Sequence, residues 1–142
     1  MVDIIFYEKP GCINNTKQKR LLQNAGHQVE SRNLLTESWD RKTLSKYFGD
    51  IPVSLCFNSA APEIKSGLLK PFRLSDDEAL SMMIKNPLLI RRPLIRAGDE
   101  YRVGFEVELI NKWVGLSEKD LQELSEKVDL QACPREKDHA FK

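Results

Sequence analysis

The sequence contains few of the residues that build metal centres and disulfide frameworks. Three of its 142 residues are cysteine and two are histidine. Cys12, Cys56 and Cys133 are an odd number at wide spacings, which fits neither a disulfide framework nor a structural zinc site. His27 and His139 have no partner at catalytic or metal-ligand spacing, so we assign them no role and expect no metal.

The chain also lacks an excess of charge of either sign and any long apolar run. Its 22 Lys and Arg residues balance 21 Asp and Glu residues, and the formal charge of +1 gives no electrostatic case for binding nucleic acid or an anionic membrane. No apolar run approaches the roughly 18 residues that a membrane span requires, and the opening MVDIIFYEKPG lacks the pattern of a secretion signal. We therefore expect a cytoplasmic protein with one core and free thiols.

The most informative segment that is present is the opening one. The apolar run 2–7 predicts a strand, the segment EKPG follows, and Cys12 comes directly before a helical pattern. At a helix start, the unpaired N–H groups and the positive end of the helix dipole stabilise a thiolate. Cys12 is therefore the candidate nucleophile, and the alternative is that it is a small buried core residue.

The pattern after Cys12 predicts a βαβ unit. Gly26 ends the helix, and the segment 27–34 suits a second strand. A strand, a crossing helix and a second strand imply a parallel pair. On the helix we expect one buried side, made of Ile13, Leu21, Leu22 and Ala25, and one side facing water, made of Asn14, Lys17, Lys19 and Arg20.

The middle of the chain predicts short helices and loops. Thr36 or Ser38 is a plausible N-cap of one helix, and Ser75, followed by three acidic residues, begins another. Proline and glycine interrupt the apolar pieces between them. Cys56, Trp39 and Trp113 lie among apolar positions, and we assign all three to the core.

The last part of the chain predicts a hairpin followed by helices. Two short apolar runs within 88–103 flank a Gly-Asp turn, and a helix then ends at Gly115. Ser117 caps a last polar helix, and the charged tail around Cys133, whose thiol we regard as incidental, is expected to be loosely ordered. This order predicts an α/β protein with a thioredoxin-like fold, βαβ then ββα around a mixed sheet, with a helical insertion at about 36–87.

Two segments carry a resemblance to a known family. FYEKPGCINNTKQKRLLQNAGH and KNPLLIRRPLIRAGDEYRVGF resemble the arsenate reductase (ArsC)-related family of thioredoxin-fold proteins, and within it they look most like the nitrogenase-associated branch. The resemblance covers roughly residues 2 to 115. It implies an ArsC-like domain at 1–115 and, at 116–142, an additional helix and a flexible charged tail.

The resemblance implies a reaction at Cys12. In ArsC-type enzymes the matching cysteine attacks arsenate, glutathione forms a mixed disulfide after the arsenic is reduced, and glutaredoxin restores the thiol. Glutathione is then a co-substrate, glutaredoxin a partner, and no cofactor is tightly bound. Arg92 would bind an oxyanion or a glutathione carboxylate through its fork of donors, and Pro93 resembles the cis-proline that faces the cysteine in thioredoxin folds.

Neighbouring residues leave alternatives open. Asn15 and Thr16, together with Asn14, either donate hydrogen bonds to a bound oxyanion or only cap the first helical turn. Adjacent residues on a strand face opposite sides, so at most one of Arg91 and Arg92 points at Cys12; we favour Arg92 as the ligand-binding residue and leave Arg91 on the surface.

Departures from the family pattern support two hypotheses. Phe57 and Gly104 align with two further arginines of the arsenate reductases, and Glu8 brings a negative charge that opposes a thiolate at Cys12, against Lys9 and the helix N-terminus. No second cysteine follows Cys12 at the spacing of a dithiol motif. The chain is therefore either a thiol oxidoreductase of the arsenate reductase type, or a non-catalytic accessory protein of nitrogen fixation that binds glutathione or a protein partner.

Overall fold

The chain folds around a four-stranded mixed sheet whose strand order is β2-β1-β3-β4. A computed structural model describes residues 1–125. The strands are β1 (Asp3–Glu8), β2 (Gln28–Asn33), β3 (Leu94–Ala97) and β4 (Glu100–Val103). The α-helices are α1 (Ile13–Asn24), α2 (Arg41–Phe48), α3 (Pro62–Lys65), α4 (Asp76–Lys85), α5 (Val107–Trp113) and α6 (Glu118–Leu124), with 3-10 turns at Val53–Cys56, Pro71–Arg73 and Pro87–Leu89.

Strand β1 joins the two halves of the sheet. It pairs in parallel with β2, as the predicted βαβ unit requires, and antiparallel with β3. The hairpin of β3 and β4 is antiparallel. The predicted thioredoxin-like architecture, βαβ then ββα with helices inserted between the halves, is therefore confirmed.

Alternation along β1 divides the core into two clusters, one on each face of the sheet. Ile4 and Phe6 belong to the cluster shared with α1 and α5. Ile5 and Tyr7 contact the other cluster, which the inserted helices cover. Successive side chains of a strand point to opposite faces, so one short strand holds both layers together.

Helix α1 is rotated relative to the expectation from its sequence. Asn14, predicted to face water, is 3% exposed, whereas Ile13, predicted to be buried, is 44% exposed. The buried positions are Asn14, Asn15, Gln18 and Leu22. These positions share one side of a helix, because residues four apart lie above one another. The side that faces the sheet therefore begins with polar residues, which an apolar pattern does not reveal.

The sequence correctly predicts the N-cap of α4 but not that of α2. Ser75 begins α4 with a complete capping box, as predicted. The predicted N-cap of α2 at Thr36 or Ser38 is wrong, because Asp40 caps that helix by accepting a hydrogen bond from the Thr43 N–H at 2.7 Å. Trp39, directly before Asp40, is buried and lies outside α2.

The two tryptophans differ in burial. Trp39 lies in the core, as predicted, but Trp113 is only partly buried, with Arg102 stacked 4.6 Å from its ring centroid. Ser117 caps α6, as predicted, by accepting from the Asp120 N–H. The predictions for Cys133, His139 and the charged tail lie outside the described residues.

Within residues 1–125, no helix combines the length and the apolar character needed to cross a membrane.

Candidate active site

The turn between β1 and α1 positions Cys12. The Cys12 N–H donates to the Lys9 carbonyl at 3.1 Å, which closes a tight turn. Gly11 inside this turn has a φ of +84°, in the left-handed region that residues with a Cβ rarely adopt. The Lys9 N–H donates in turn to Asn15 Oδ1 at 3.2 Å, so the turn is bonded to the first turn of the helix.

Cys12 is the N-cap residue of α1. Its backbone is extended (φ −73°, ψ 120°), and its carbonyl accepts from the Thr16 N–H at 3.1 Å, the first hydrogen bond of the helix. The thiol makes no capping hydrogen bond, and no acidic residue stands in the first turn of α1. The predicted position at the positive end of a helix is therefore confirmed, while the residue is 3% exposed.

The acidic residue of the turn is neutralised by a helix residue. Glu8 Oε2 lies 2.9 Å from Lys19 Nζ, and the two side chains are 14% and 19% exposed. Lys19 also donates to the Ser31 hydroxyl on β2 at 3.1 Å. Lys19 thus offsets the negative charge of Glu8 before Cys12. The sequence predicts instead that Lys19 faces water.

Asn15 and Thr16 use their side chains within the fold. Asn15 accepts from Lys9 and donates through Nδ2 to Gln18 Oε1 at 2.9 Å. The Thr16 hydroxyl donates to the Cys12 carbonyl at 3.1 Å. These bonds fit the local, helix-capping interpretation, and ligand binding by either residue stays a prediction.

Asn14 is buried near Cys12, although the sequence predicts that it faces water. Its Nδ2 is buried and, in the part of the chain that the structure describes, has no hydrogen-bond partner. Buried donors are nearly always satisfied, so an unused one two residues after the candidate nucleophile is an available contact for a bound acceptor. The burial of Asn14 follows from the rotation of α1, which the apolar pattern of the sequence does not predict.

The peptide bond between Arg92 and Pro93 is cis, in agreement with the prediction for Pro93. The antiparallel register pairs Tyr7 with Leu94, and its continuation places Pro93 opposite Glu8. The start of β3 and the turn to Cys12 therefore share one edge of the sheet. Arg92, which directly precedes Pro93, is buried, with 7% exposure.

The sequence predicts Arg91 to lie on the surface, but in the structure its side chain is partly buried. Its side chain is 27% exposed and its Nη2 lies 3.7 Å from Glu106 Oε1. The guanidinium covers Gly104, where a Cβ would come within 2.8 Å of Nη2. Gly104 also has a φ of +82°, so both its backbone and its neighbour exclude a side chain there. Arg91 thus packs against the β4–α5 junction. Arg91 and Arg92 precede β3, so strand alternation does not decide which of the two faces Cys12.

Cys56 is a core residue, as predicted. It is fully buried, and its Sγ lies 3.5 Å from the Pro52 carbonyl. Burial raises the pKa of the Cys56 thiol to about 12, and the positive charge of Arg91 acts in the opposite direction. A neutral thiol is a poor nucleophile, so Cys12 is the candidate nucleophile among the described residues. No group of three or more potential metal-ligating side chains occurs in residues 1–125.

Comparison with known proteins identifies the family of the chain. The sequence model of the ArsC family matches residues 15–113, more than half of the chain. An uncharacterized 15.7 kDa protein of Rhodospirillum rubrum, described by its place in the draG 3′ region, is 44% identical over 134 residues, which are 94% of this chain and 90% of that protein. The arsenate reductase of Escherichia coli is 26% identical over 98 residues, 67% of this chain and 69% of the enzyme.

Solved structures share the fold at lower identity. The arsenate reductase from Vibrio cholerae superimposes with a TM-score of 0.66 and 24% identity, over 78% of this chain and 97% of that one. An arsenate reductase (ArsC) related protein from Brucella melitensis gives a TM-score of 0.60 and 19% identity, over 80% and 96% of the two chains. These structures share the fold, and the match of the family's sequence model over residues 15–113 shows that the chain belongs to the ArsC family.

Proposed function

We propose that the protein is a thiol oxidoreductase of the arsenate reductase type, with Cys12 as its nucleophile. The observation that carries the proposal is the position of Cys12 as N-cap of α1, at the sheet edge that also holds buried Arg92 and cis-Pro93. A helix N-terminus and a nearby guanidinium both favour a thiolate and an oxyanion in the same place.

The reaction uses one protein thiol and external thiols. The Cys12 thiolate forms an S–As bond and displaces a hydroxyl from arsenate, and this hydroxyl takes a proton and leaves as water. A glutathione thiolate then attacks the Cys12 sulfur, the S–As bond breaks, and its electron pair stays on arsenic, so that arsenic(V) leaves as arsenic(III). The two electrons come from the two sulfurs, which end as a mixed disulfide on Cys12. A glutaredoxin thiol attacks this disulfide and releases Cys12. Arg92 and the Asn14 Nδ2 are the donors that this proposal assigns to the oxyanion.

The test is arsenate-dependent oxidation of NADPH, coupled through glutathione, glutaredoxin and glutathione reductase. Cys12→Ser is expected to abolish turnover, because a serine hydroxyl forms no mixed disulfide. Cys56→Ala is the matched control and should retain it, since Cys56 is buried in the core. Absence of turnover in the unmodified protein would contradict the proposal.

An accessory role in nitrogen fixation is the second candidate, in which the protein binds glutathione or a protein partner without turnover. It is favoured by the replacement of two family arginines by Phe57 and Gly104, by the 3% exposure of Cys12, and by the Rhodospirillum rubrum relative, since draG belongs to a nitrogenase regulation locus. In a strain lacking that relative, nitrogenase activity before and after ammonium addition is measured. Equal complementation by this chain and by its Cys12→Ser variant would favour the accessory role.

A further inference from the structure

Strand β4 forms one edge of the sheet, and some of its backbone groups point away from its neighbour β3. The Gly104 N–H donates to the Pro93 carbonyl at 2.8 Å, which makes these two residues a hydrogen-bonded pair of the antiparallel ladder. Hydrogen-bonded residues alternate along such a strand, so the residues two and four positions before Gly104 also bond toward β3. Tyr101 and Val103 therefore direct their N–H and C=O groups outward, away from the sheet.

A groove of about 730 Å³ follows this edge and is lined by every residue of β4. Its walls are residues 47–51 at the end of α2 and residues 106–113 on α5. The two helices pack on opposite faces of the sheet. Each wall includes an exposed apolar side chain, since Ile51 is 39% exposed and Leu109 is 58% exposed. A strand that joins the sheet at β4 would therefore cover apolar surface on both faces.

The charges of the groove are balanced. It is lined by three acidic and three basic residues: Asp50, Glu100, Glu106, Arg91, Arg102 and Lys112. Equal numbers of both signs give no preference for a partner with an excess of one sign. They suit a surface that carries the same balanced set, and a second copy of this chain is such a surface.

The order of charges along β4 is complementary to itself. Glu100 and Arg102 are both exposed, and because they are two residues apart they point to the same face of the sheet. If two copies of β4 pair in antiparallel fashion with Tyr101 opposite Tyr101, each Glu100 lies directly opposite an Arg102. This register also joins the outward N–H and C=O groups of Tyr101. A register with Tyr101 opposite Val103 would instead place Arg102 opposite itself, and like charges there are unfavourable.

Within the described chain, Glu100 and Arg102 each interact with Trp113 rather than with each other. Glu100 Oε1 accepts from Trp113 Nε1 at 3.0 Å, and the Arg102 guanidinium stacks on the same indole. Arg102 Nη1 also donates to the Tyr101 carbonyl at 2.9 Å. A single chain thus uses Arg102 to cover an outward carbonyl of its own edge strand.

The other edge of the sheet provides a contrast. Glu30 and Arg32 on β2 have the same spacing as the two charged residues of β4, but they form an ion pair with each other. Their charges are already compensated inside one chain. Charged residues on an edge strand commonly prevent pairing, and only on β4 do they remain available to a strand of the opposite order.

We propose that β4 pairs with β4 of a second copy of the chain around a two-fold axis, so that two four-stranded sheets join into one. Two backbone hydrogen bonds connect the Tyr101 residues of the two copies. Each Arg102 leaves its own Tyr101 carbonyl and binds Glu100 of the second copy. The same patch of both copies forms the interface, as two-fold symmetry requires. The inference does not depend on the reaction assigned to Cys12.

The first test is sedimentation equilibrium of the full chain at concentrations up to about 200 µM, where the wild-type protein should form dimers. Glu100→Arg places cations opposite each other across the interface, and Arg102→Glu places anions there. Each should raise the dimer dissociation constant at least about tenfold. Glu30→Arg, at an exposed position on the other edge strand, is the matched control and should dimerise as wild type. A monomeric wild-type protein, or equal dissociation constants in all variants, would overturn the inference.

A mixture of the two charge variants tests the register. Equimolar Glu100→Arg and Arg102→Glu bring a doubly basic strand opposite a doubly acidic one, so heterodimers should form with at least wild-type affinity. The double variant in one chain restores opposite charges in reversed order and should dimerise again. Recovery also excludes misfolding as the cause of dissociation. A mixture that stays monomeric, although both variants are folded by circular dichroism, would contradict the register and with it the inference.

Hydrogen exchange then locates the interface. At concentrations where the wild-type protein is dimeric, the outward amide of Tyr101 should exchange at least about tenfold more slowly than in monomeric Glu100→Arg. The amide of Ile95, which lies on β3 inside the sheet, is the internal reference and should be protected in both. A wild-type dimer whose Tyr101 amide is no better protected than that of the monomeric variant uses another surface, and this result would overturn the inference.

Discussion

Glu8 and Lys19 form an ion pair of 2.9 Å between the end of β1 and the middle of α1. The pair joins the turn of Cys12 to the helix that follows it, and both side chains are shielded from solvent. A carboxylate that would oppose a thiolate at Cys12 is thereby compensated by a cation eleven positions further along the chain.

Lys19→Met should slow the alkylation of Cys12. Removal of the ammonium leaves the Glu8 carboxylate uncompensated beside the helix N-terminus, and its field disfavours a thiolate. We expect the iodoacetamide rate at pH 7 to fall by about three- to tenfold, or about 0.7–1.4 kcal/mol. Adding Glu8→Gln should restore the rate. An unchanged rate in Lys19→Met would show that Glu8 has no influence on the thiol.

Asn15→Ala should destabilise the protein. The amide of Asn15 is buried and links Lys9 to Gln18, so its loss removes one hydrogen bond to a backbone N–H and one to a buried side chain. We expect the free energy of unfolding to fall by about 1–3 kcal/mol in urea titrations. Thr16→Ala, at an exposed position of the same turn, is the control and should cost less than about 1 kcal/mol. Equal effects would contradict a special role of Asn15 in holding the turn.

Stability should decline at alkaline pH because of Cys56. The pKa of its thiol is raised to about 12 in the folded protein, by burial first, against about 8.5 in an unfolded chain. Between these values the unfolded chain releases a proton that the folded protein keeps, so the free energy of unfolding decreases as pH rises, by at most about 1.4 kcal/mol per pH unit.

Cys56→Ala provides the comparison for this pH dependence. The variant is less stable overall, because it leaves a small cavity in the core. Its free energy of unfolding should nevertheless fall less steeply between pH 9 and 11 than that of the wild-type protein, measured by urea titration at each pH. Parallel slopes would show that Cys56 does not titrate differently in the two states.

His27→Ala should loosen the attachment of the last helices. Nδ1 of this buried residue accepts from the Val2 N–H at 3.2 Å, so Nε2 carries the proton and donates to the Gly115 carbonyl at 2.8 Å. We expect a loss of about 1–3 kcal/mol in the free energy of unfolding, with Gln28→Ala as the exposed control. Nitrogen NMR shifts that place the proton on Nδ1 would contradict this arrangement.

Local signals were sufficient for much of the fold. The apolar run of β1, the capping box at Ser75 and the Gly-Asp turn between β3 and β4 involve residues close in sequence, and each of these local signals was predicted. The α2 cap failed because Thr36, Ser38 and Asp40 offer the same local chemistry. The burial of Trp39 selects among them, and burial is a property of the assembled core.

The sequence by itself determined that Cys12 begins a helix after a glycine-containing turn, because strand, turn and helix start depend on neighbouring residues. Only the tertiary structure decided what surrounds that thiol. Glu8 meets Lys19, and Arg91 turns to Gly104 while Arg92 is buried. These contacts depend on the rotation of α1 and on how the insertion packs against the sheet. Both follow from the total burial of the core, which no local pattern of residues specifies.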